Sequence, residues 1–466
     1  MTSFLLVVFD GLRPDMISAA TTPNLLRFPA LGTRFARARS VFPSETRVCS
    51  STVATGCLPR RHGLVANRMA HPLDPARSIN TGEAAALRAF QEEVGVPVLG
   101  VPTLGEILAR AGRDFAVFSS GSTGQSFVLN PRAGELGQIT LSAHGKEACS
   151  VAGRDLLAQL EPPPAQSAAR AAWVAEVFRT RVLPVPPDAS ILWLCEPDTT
   201  AHYGGLDSAA QREALRIADA AFGRILDDWQ AGPHRDTLQI AVASDHGHAT
   251  ITGHQDVGSV LGDFADCTLL RGSSGGLIVP GGDAGRISEV AEFLTRQEWC
   301  GAVYAADGAE LPPGVLPRSA LLADHARAAH VLFTLRTNPG LSPAGLAGTT
   351  LYDGPLEIGA GIHGGLSTAE LHTVLMLGGS MIRSAGVSEW PAGLTDIAPT
   401  ILALLGVDGA AAMDGRVLTE AFADGAAPMH CPAPESWEAR GPNGYSQRLA
   451  RTRLGRHVYL DQGVRD

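Results

Sequence analysis

Phe4–Gly11 reads FLLVVFDG, a run of six apolar residues from Phe4 to Phe9 closed by Asp10 and Gly11. Its continuous β-branched and aromatic character, without polar alternation, is that of a strand buried on both faces of a parallel sheet. Working outward, similar runs occur at Phe115–Phe118 (FAVF), Ile191–Cys195 (ILWLC), Leu238–Ala243 (LQIAVA) and Thr373–Leu377 (TVLML). Helical patterns lie between and after them at Thr103–Ala111, Ala165–Val182, Ser208–Trp229 and Leu394–Leu405. Strands that alternate with helices predict an α/β fold, a mainly parallel sheet sandwiched by helices. In such folds ligands gather at the carboxyl ends of the strands. Three of the runs deliver polar residues there: Asp10, then Asp198 with His202, then Asp245 with His246.

Composition narrows the class. Hydrophobic residues make up 45% of the 466-residue chain and charged residues 18%, the balance of a globular enzyme. The net charge of −10 argues against binding of a nucleic-acid polymer, which needs a basic face. Among the basic residues only Lys146 is a lysine, so anion contacts must come from arginine, metals or backbone amides. Seven cysteines without CxxC spacing predict reduced thiols. The opening MTSFLLVVFDG lacks a basic flank and a cleavage site, so it reads as a strand and not as a signal peptide. No stretch approaches the roughly 20 apolar residues of a membrane span. The expectation is a soluble cytoplasmic protein.

Residues from about His254 to Gly361 differ, with Gly-rich and Pro-rich punctuation such as RGSSGGLIVPGGD and ELPPGVLP. The expected division is a catalytic core of residues 1–253 and 362–410, an inserted cap subdomain over 254–361, and a tail over 411–466 that runs across the surface.

The chemistry rests on four separated segments: Asp10; Asp198 and His202 in EPDTTAH; Asp245 and His246 in SDHGH; and His363 in GIHGG. Singly each is weak, because an Asp after a strand is often a helix cap or turn former and a lone loop His is usually a hydrogen-bonded surface residue. Together they supply three carboxylates and three imidazoles, a set suited to Zn²⁺ and tolerant of Mn²⁺. Two such ions about 3.5 to 4 Å apart can hold the attacking and leaving oxygens of an in-line displacement. The nucleophile between them is supplied by FPSETR, Phe42–Arg47, whose Thr46 hydroxyl a divalent ion can activate. Taken alone, Thr46 reads equally well as a helix N-cap.

The ordered set of DG at Asp10, TPNL at Thr22, FPxxT ending at Thr46, TGxxPxxHG from Thr55, Asn67, EPDxxxH, SDHG, HGG at His363 and TDIAPTILALLG from Thr395 resembles the type I phosphodiesterase and nucleotide pyrophosphatase branch of the alkaline phosphatase superfamily. The resemblance covers Asp10 to about Gly406. It implies an alkaline phosphatase-like core, one ion held by Asp198, His202 and His363, and another held by Asp10, Thr46, Asp245 and His246. It further implies that Thr46 is the nucleophile of a two-metal phosphodiesterase acting through a phospho-threonine intermediate. Asn67 would donate its amide to a phosphoryl oxygen. The substrate is expected to be a small-molecule phosphoester, nucleotide pyrophosphates among the candidates. Relatives often sandwich a base between aromatics, for which Tyr203, Trp299, Tyr304 and Tyr352 are candidates.

CLPRR at Cys57 satisfies the sulfatase pattern C-x-P-x-R, but in the wrong register. The sulfatase cysteine stands nine residues before the TG of TGxxPxxHG, and here that position is Thr46. Cys57 therefore reads as a small buried filler. His62, His248 and His254 read as loop-fixing or as supports around the ligands, and Arg47 as a substrate contact or a salt-bridge partner. Two alternatives remain beside the phosphodiesterase. One is a phosphonoacetate-type phosphonate hydrolase, poorly matched by a chain with one lysine unless arginine substitutes. The other is a metal-binding scaffold without catalysis.

Overall fold

The computed structural model describes residues 2–466. An eight-stranded sheet forms its centre, in the order 386–393, 32–39, 375–378, 238–243, 3–9, 189–194, 115–119 and 139–142. Leu375–Gly378 runs antiparallel to both neighbours, and every other pairing in the sheet is parallel.

Ser3–Phe9 sits in the middle because nothing along it demands water. Phe4, Leu6 and Val8 point into one helical layer, against Val48, Phe127 and Ile401 among others. Leu5, Val7 and Phe9 point into the other, against Phe178, Leu215 and Phe222. This period-two partition, with each buried Leu or Phe contributing about 1.5–3 kcal/mol, fixes the register of the central strand. The helices Leu104–Arg110, Ser167–Arg181, Ala209–Ala231 and Ile397–Leu404 fall where the sequence pattern put them. Ala209–Ala231 starts where the Ser208 hydroxyl accepts the Gln211 N–H at 3.1 Å, a side-chain N-cap.

The inserted segment carries a five-stranded sheet, ordered 268–270, 274–278, 331–335, 300–305 and 316–317, with the helix Ala284–Thr295 packed on it. A smaller four-stranded sheet joins 337–341, 347–352, 249–254 and 361–362. It straddles the expected boundaries: Ala249–His254 pairs with Ala347–Tyr352 and also, antiparallel, with Gly361–Ile362.

Residues 411–466 do more than run across the surface. Ala433–Arg440, Ser446–Leu454 and His457–Arg465 form a three-stranded antiparallel sheet. Its Leu449 and Leu460 are buried with Tyr304 and Leu366. The Tyr445 hydroxyl donates to the Gly301 carbonyl at 2.9 Å, and Arg39 pairs with Asp461 at 3.0 Å. Alternating Arg and apolar residues, as in LARTRL, hide this strand from a search for apolar runs. No helix among the described residues is long and apolar enough to cross a membrane.

Candidate metal centre and active site

Three neighbouring strands place the acidic groups. Asp245 follows the end of Leu238–Ala243, Asp10 follows Ser3–Phe9, and Asp198 follows Ala189–Leu194, so the three carboxylates stand in a row at the carboxyl edge. Asp198 and His202 share the short helix Asp198–Gly204, one turn apart. His363 arrives from the chain returning out of the insert, directly after Gly361–Ile362. The chain after Gly32–Arg39 brings up Thr46, the first residue of the helix Thr46–Thr55.

Two ligand sets result, each with its donor atoms within 4.8 Å of one another: Asp198, His202, His248 and His363; and Asp10, Asp245 and His246. The structure thus brings together every metal position read from the sequence, and Thr46 Oγ1 lies 3.2 Å from His246 Nε2. Thr46 is not a helix cap. Glu45 occupies that position, and no side-chain cap bond is made there.

All four imidazoles are oriented in the same way. The Nδ1 of His202 lies 2.7 Å from the Gly361 carbonyl, that of His363 2.8 Å from the Ser44 carbonyl, that of His246 3.1 Å from the Gly247 carbonyl, and that of His248 3.0 Å from the Gly11 carbonyl. A carbonyl can only accept, so each Nδ1 donates there and each Nε2 is the nitrogen that faces the centre. Three of these Nε2 atoms surround Asp198 Oδ1, at 3.2 Å from His202, 3.0 Å from His248 and 3.4 Å from His363.

His248 is the residue whose place the sequence left open. Its approach depends on Gly11, whose φ is +71° and where a Cβ would stand 2.2 Å from the His248 ring. Asp10 is held by the Trp193 indole N–H at 2.8 Å and Asp245 by the Gly11 N–H at 3.0 Å. The remaining oxygens, Asp10 Oδ1 and Asp245 Oδ2, are buried without a hydrogen-bond partner. Burial pushes the Asp245 carboxyl up to about 8. Burial, reinforced by Asp245 and Asp198, raises Asp10 well above the carboxylate range. At Asp198 burial acts in the same direction, but His202, His248 and His363 outweigh it and hold that carboxyl well below its ordinary value. Burial takes His246 down to about 3, which keeps it neutral, the form that binds metal. Orphaned carboxylate oxygens, imidazoles at His246, His248 and His363 that burial holds neutral, and clustered negative charge all fit divalent cations.

The centre opens into a cleft of about 940 Å³ whose walls include Glu45, Arg47, Asn67, Arg170 and Arg271. A smaller lobe of about 180 Å³ shares Glu45, Arg47, Asn67 and Arg271 with it. Asn67 Oδ1 accepts the Arg47 N–H at 3.2 Å, so the NH₂ end of the amide is left for the cleft. Its backbone N–H donates to Glu45, a buried carboxylate that the sequence reading passed over. Of the candidate aromatics, Tyr203 and Tyr352 line the cleft. Trp299 and Tyr304 do not: Trp299 packs on Phe333, and Tyr304 is wholly buried. His254 is exposed and bound to the Leu356 carbonyl, whereas His62 is buried against Thr52 and fixes its loop. Cys57 is 2% exposed in the core.

Residues 4–264 match the family described as type I phosphodiesterase / nucleotide pyrophosphatase. The chain is 23% identical over 300 residues to human ectonucleotide pyrophosphatase/phosphodiesterase family member 5, a match covering 63% of this chain and 54% of that protein. It is 24% identical over 251 residues to the mouse bis(5'-adenosyl)-triphosphatase of the same group, covering 53% and 47%. The chain spans between about a quarter and about half of the length of the curated relatives it matches. In fold it is similar to murine ectonucleotide pyrophosphatase/phosphodiesterase 5, solved as an inactive variant in complex with AMP, with a TM-score of 0.61 at 18% identity over 88% of this chain and 96% of that one. The match over more than half of its length, on a core that carries the Asp and His sets at its strand ends, shows that this chain belongs to the type I phosphodiesterase / nucleotide pyrophosphatase family of the alkaline phosphatase superfamily.

Proposed function

We propose that this chain is a two-metal phosphodiesterase with Thr46 as its nucleophile. The observation that carries the reading is the Thr46 hydroxyl, 3.2 Å from His246 Nε2 and beside two Asp/His sets whose carboxylates include orphaned, buried oxygens. Asp198, His202 and His363 would hold one cation, and Asp10, Asp245, His246 and Thr46 the other, with zinc or manganese suited to this donor mix. Bound there, such ions lower the pKa of an attached hydroxyl and offset charge on a departing alkoxide.

The chain's own groups do the rest. Thr46 Oγ1 forms a bond to phosphorus as one ester P–O bond breaks and the alcohol departs. Water then cleaves the Oγ–P bond and returns the Thr46 hydroxyl. Asn67, its carbonyl end fixed by the Arg47 N–H, offers its NH₂ to a non-bridging oxygen on which charge grows. His248, tied to the Gly11 carbonyl, steers Asp198 without needing to touch substrate.

The test is a comparison of bis(p-nitrophenyl) phosphate with p-nitrophenyl phosphate on zinc-loaded and manganese-loaded protein. The diester is expected to show the higher kcat/KM, as membership of a type I phosphodiesterase family supports. A higher value for the monoester would remove the diesterase reading and leave the family. Turnover of neither ester by fully loaded protein would favour a scaffold. In the same assay, Asn67→Ala should lower kcat by roughly 10² to 10³, the cost of one transition-state donor. A loss below threefold would take Asn67 out of the chemistry.

A further inference from the structure

Resting on the phosphodiesterase reading above, we propose that Glu45 is a positioning residue: its carboxylate holds Asn67 by the backbone, so that the Asn67 amide meets the phosphoryl group attacked by Thr46. The nucleophile, its transition-state donor and one metal-site imidazole are then all placed by residues 44–47.

Asn67 stands where regular structure does not secure it. It lies at a bend between the short helix Pro59–His62 and the strand Arg68–His71, so neither a helix nor a strand pairing takes its N–H. Its carbonyl accepts the Thr81 N–H at 3.1 Å and the Thr81 hydroxyl at 2.7 Å. Its side-chain Oδ1 accepts the Arg47 N–H at 3.2 Å, and its own N–H donates to Glu45 Oε2. Anchored at the carbonyl alone, the residue can still pivot. The second main-chain bond, to Glu45, fixes the direction in which its side chain leaves.

Glu45 is free for this task because it does not serve its own helix. It occupies the N-cap of Thr46–Thr55, where a side chain commonly accepts an N–H of the first turn, yet it makes no such bond. The side chain instead passes against Gly364, where φ is +118° and a Cβ would stand 3.1 Å from Glu45 Cγ and 3.3 Å from Oε1. The bare backbone at Gly364 leaves the path open. Beside it the Ser44 carbonyl accepts from His363 Nδ1 at 2.8 Å, and Ser44 Oγ accepts the Gly364 N–H at 3.1 Å. A carboxylate on the wall of a phosphoester cleft by itself opposes the charge of the substrate. The compensation comes in kcat, because the donor that Glu45 orients acts on charge that grows in the transition state.

The test uses the full chain loaded with zinc and bis(p-nitrophenyl) phosphate. Glu45→Ala and Glu45→Gln both remove the charge, and only Gln keeps an acceptor for the Asn67 N–H. Glu45→Ala is expected to lower kcat by about 10- to 100-fold, the scale of a misplaced catalytic group, with KM changed by less than about threefold. Glu45→Gln should stay within about threefold of the parent kcat. Glu45→Asp, which keeps the charge on a stem too short to reach, should behave as Ala does and replaces it should the Ala variant fail to fold. In an Asn67→Ala background, Glu45→Ala should lower kcat by less than about threefold further, because the group it positions is gone. Calorimetric binding of orthovanadate, an analogue of the phosphoryl group in transfer, should show the same non-additive pattern without turnover. A parent-like kcat for Glu45→Ala, equal losses for Ala and Gln, or losses that add in full to that of Asn67→Ala would overturn the positioning role while leaving the hydrolase reading intact. Absence of all turnover with the non-additive vanadate pattern preserved would do the reverse.

Discussion

Thr46→Ala is expected to lower kcat/KM for an aryl phosphodiester by roughly four orders of magnitude or more, the scale seen when a nucleophile is removed. The loss should be chemical and not structural. Thr46 is the first residue of its helix and makes no capping bond, and Ala has the better helix propensity, so the variant should melt within about 1 kcal/mol of the parent. Thr46→Ser keeps a hydroxyl and should retain part of the rate. Cys57→Ala completes the set: Cys57 is buried and follows the TG, so its loss should trim stability slightly and leave turnover near the parent value. Initial-rate kinetics beside thermal melts decide the matter. Near-normal hydrolysis by Thr46→Ala, or collapse in a well-folded Cys57→Ala protein, would show that the nucleophile lies elsewhere.

Exhaustive chelation should abolish turnover, and Zn²⁺ or Mn²⁺ should restore it. A second signature needs no substrate. In the metal-free chain, burial raises the folded-state pKa of Asp10 and takes that of Asp245 to about 8. A raised carboxyl gives stability that is full below its unfolded value, near 4, and is lost as pH rises through the folded value. Asp198 is depressed, so its contribution is present above about pH 4 and constant through neutrality. His246, His248 and His363 are lowered by burial, so they stabilise above their unfolded value near 6.5 and change little beyond it. His202 is raised by Asp198, which outweighs its burial, so its contribution is lost as pH rises beyond the unfolded value near 6.5. Between about pH 7 and pH 8 the raised aspartates and His202 dominate. The melting temperature of the metal-free protein should therefore fall across that interval, by on the order of 1 kcal/mol of stability per pH unit for each proton retained. Bound cations should flatten the slope, and Asp245→Asn should reduce it in the metal-free protein. Calorimetry across the interval with and without zinc measures this. A flat profile for the metal-free chain, or full activity without metal, would refute the assignment.

How far the sequence could be read depended on whether a residue's role was local. Asp10, Asp198 and Asp245 were legible because each closes or follows an apolar run, and strand ends in parallel sheets converge. His248 was not, because its place follows from the positive-φ turn at Gly11 and from a carbonyl 237 residues away in sequence. Gly32–Arg39 and the C-terminal strands escaped a search for apolar runs because arginines alternate with their buried residues. Arg170 reads as one more exposed helix residue until the docking of Ser167–Arg181 turns it over Ser120. Glu45 was overlooked because acceptance of a backbone N–H twenty-two residues on leaves no pattern in the chain.

The pairing of Ala249–His254 with Gly361–Ile362 has a consequence for how such a protein can diversify. Thr250 faces Gly361 and Ala249 faces Ile362, so the chain leaves and re-enters the core at one β-ladder. The core fixes the spacing of those two ends, and the insert is further held at Tyr304 and Gly301 by the C-terminal sheet and at Arg327 by the Gly63 and Val98 carbonyls. Lengthening its exposed turns costs little, since loop-closure entropy grows slowly with length. His246 and His363 stand just outside the junction, whereas Arg271 and Tyr352 on the cleft wall lie within it. Part of the cleft wall can therefore vary with the insert while the Asp and His sets stay on the core.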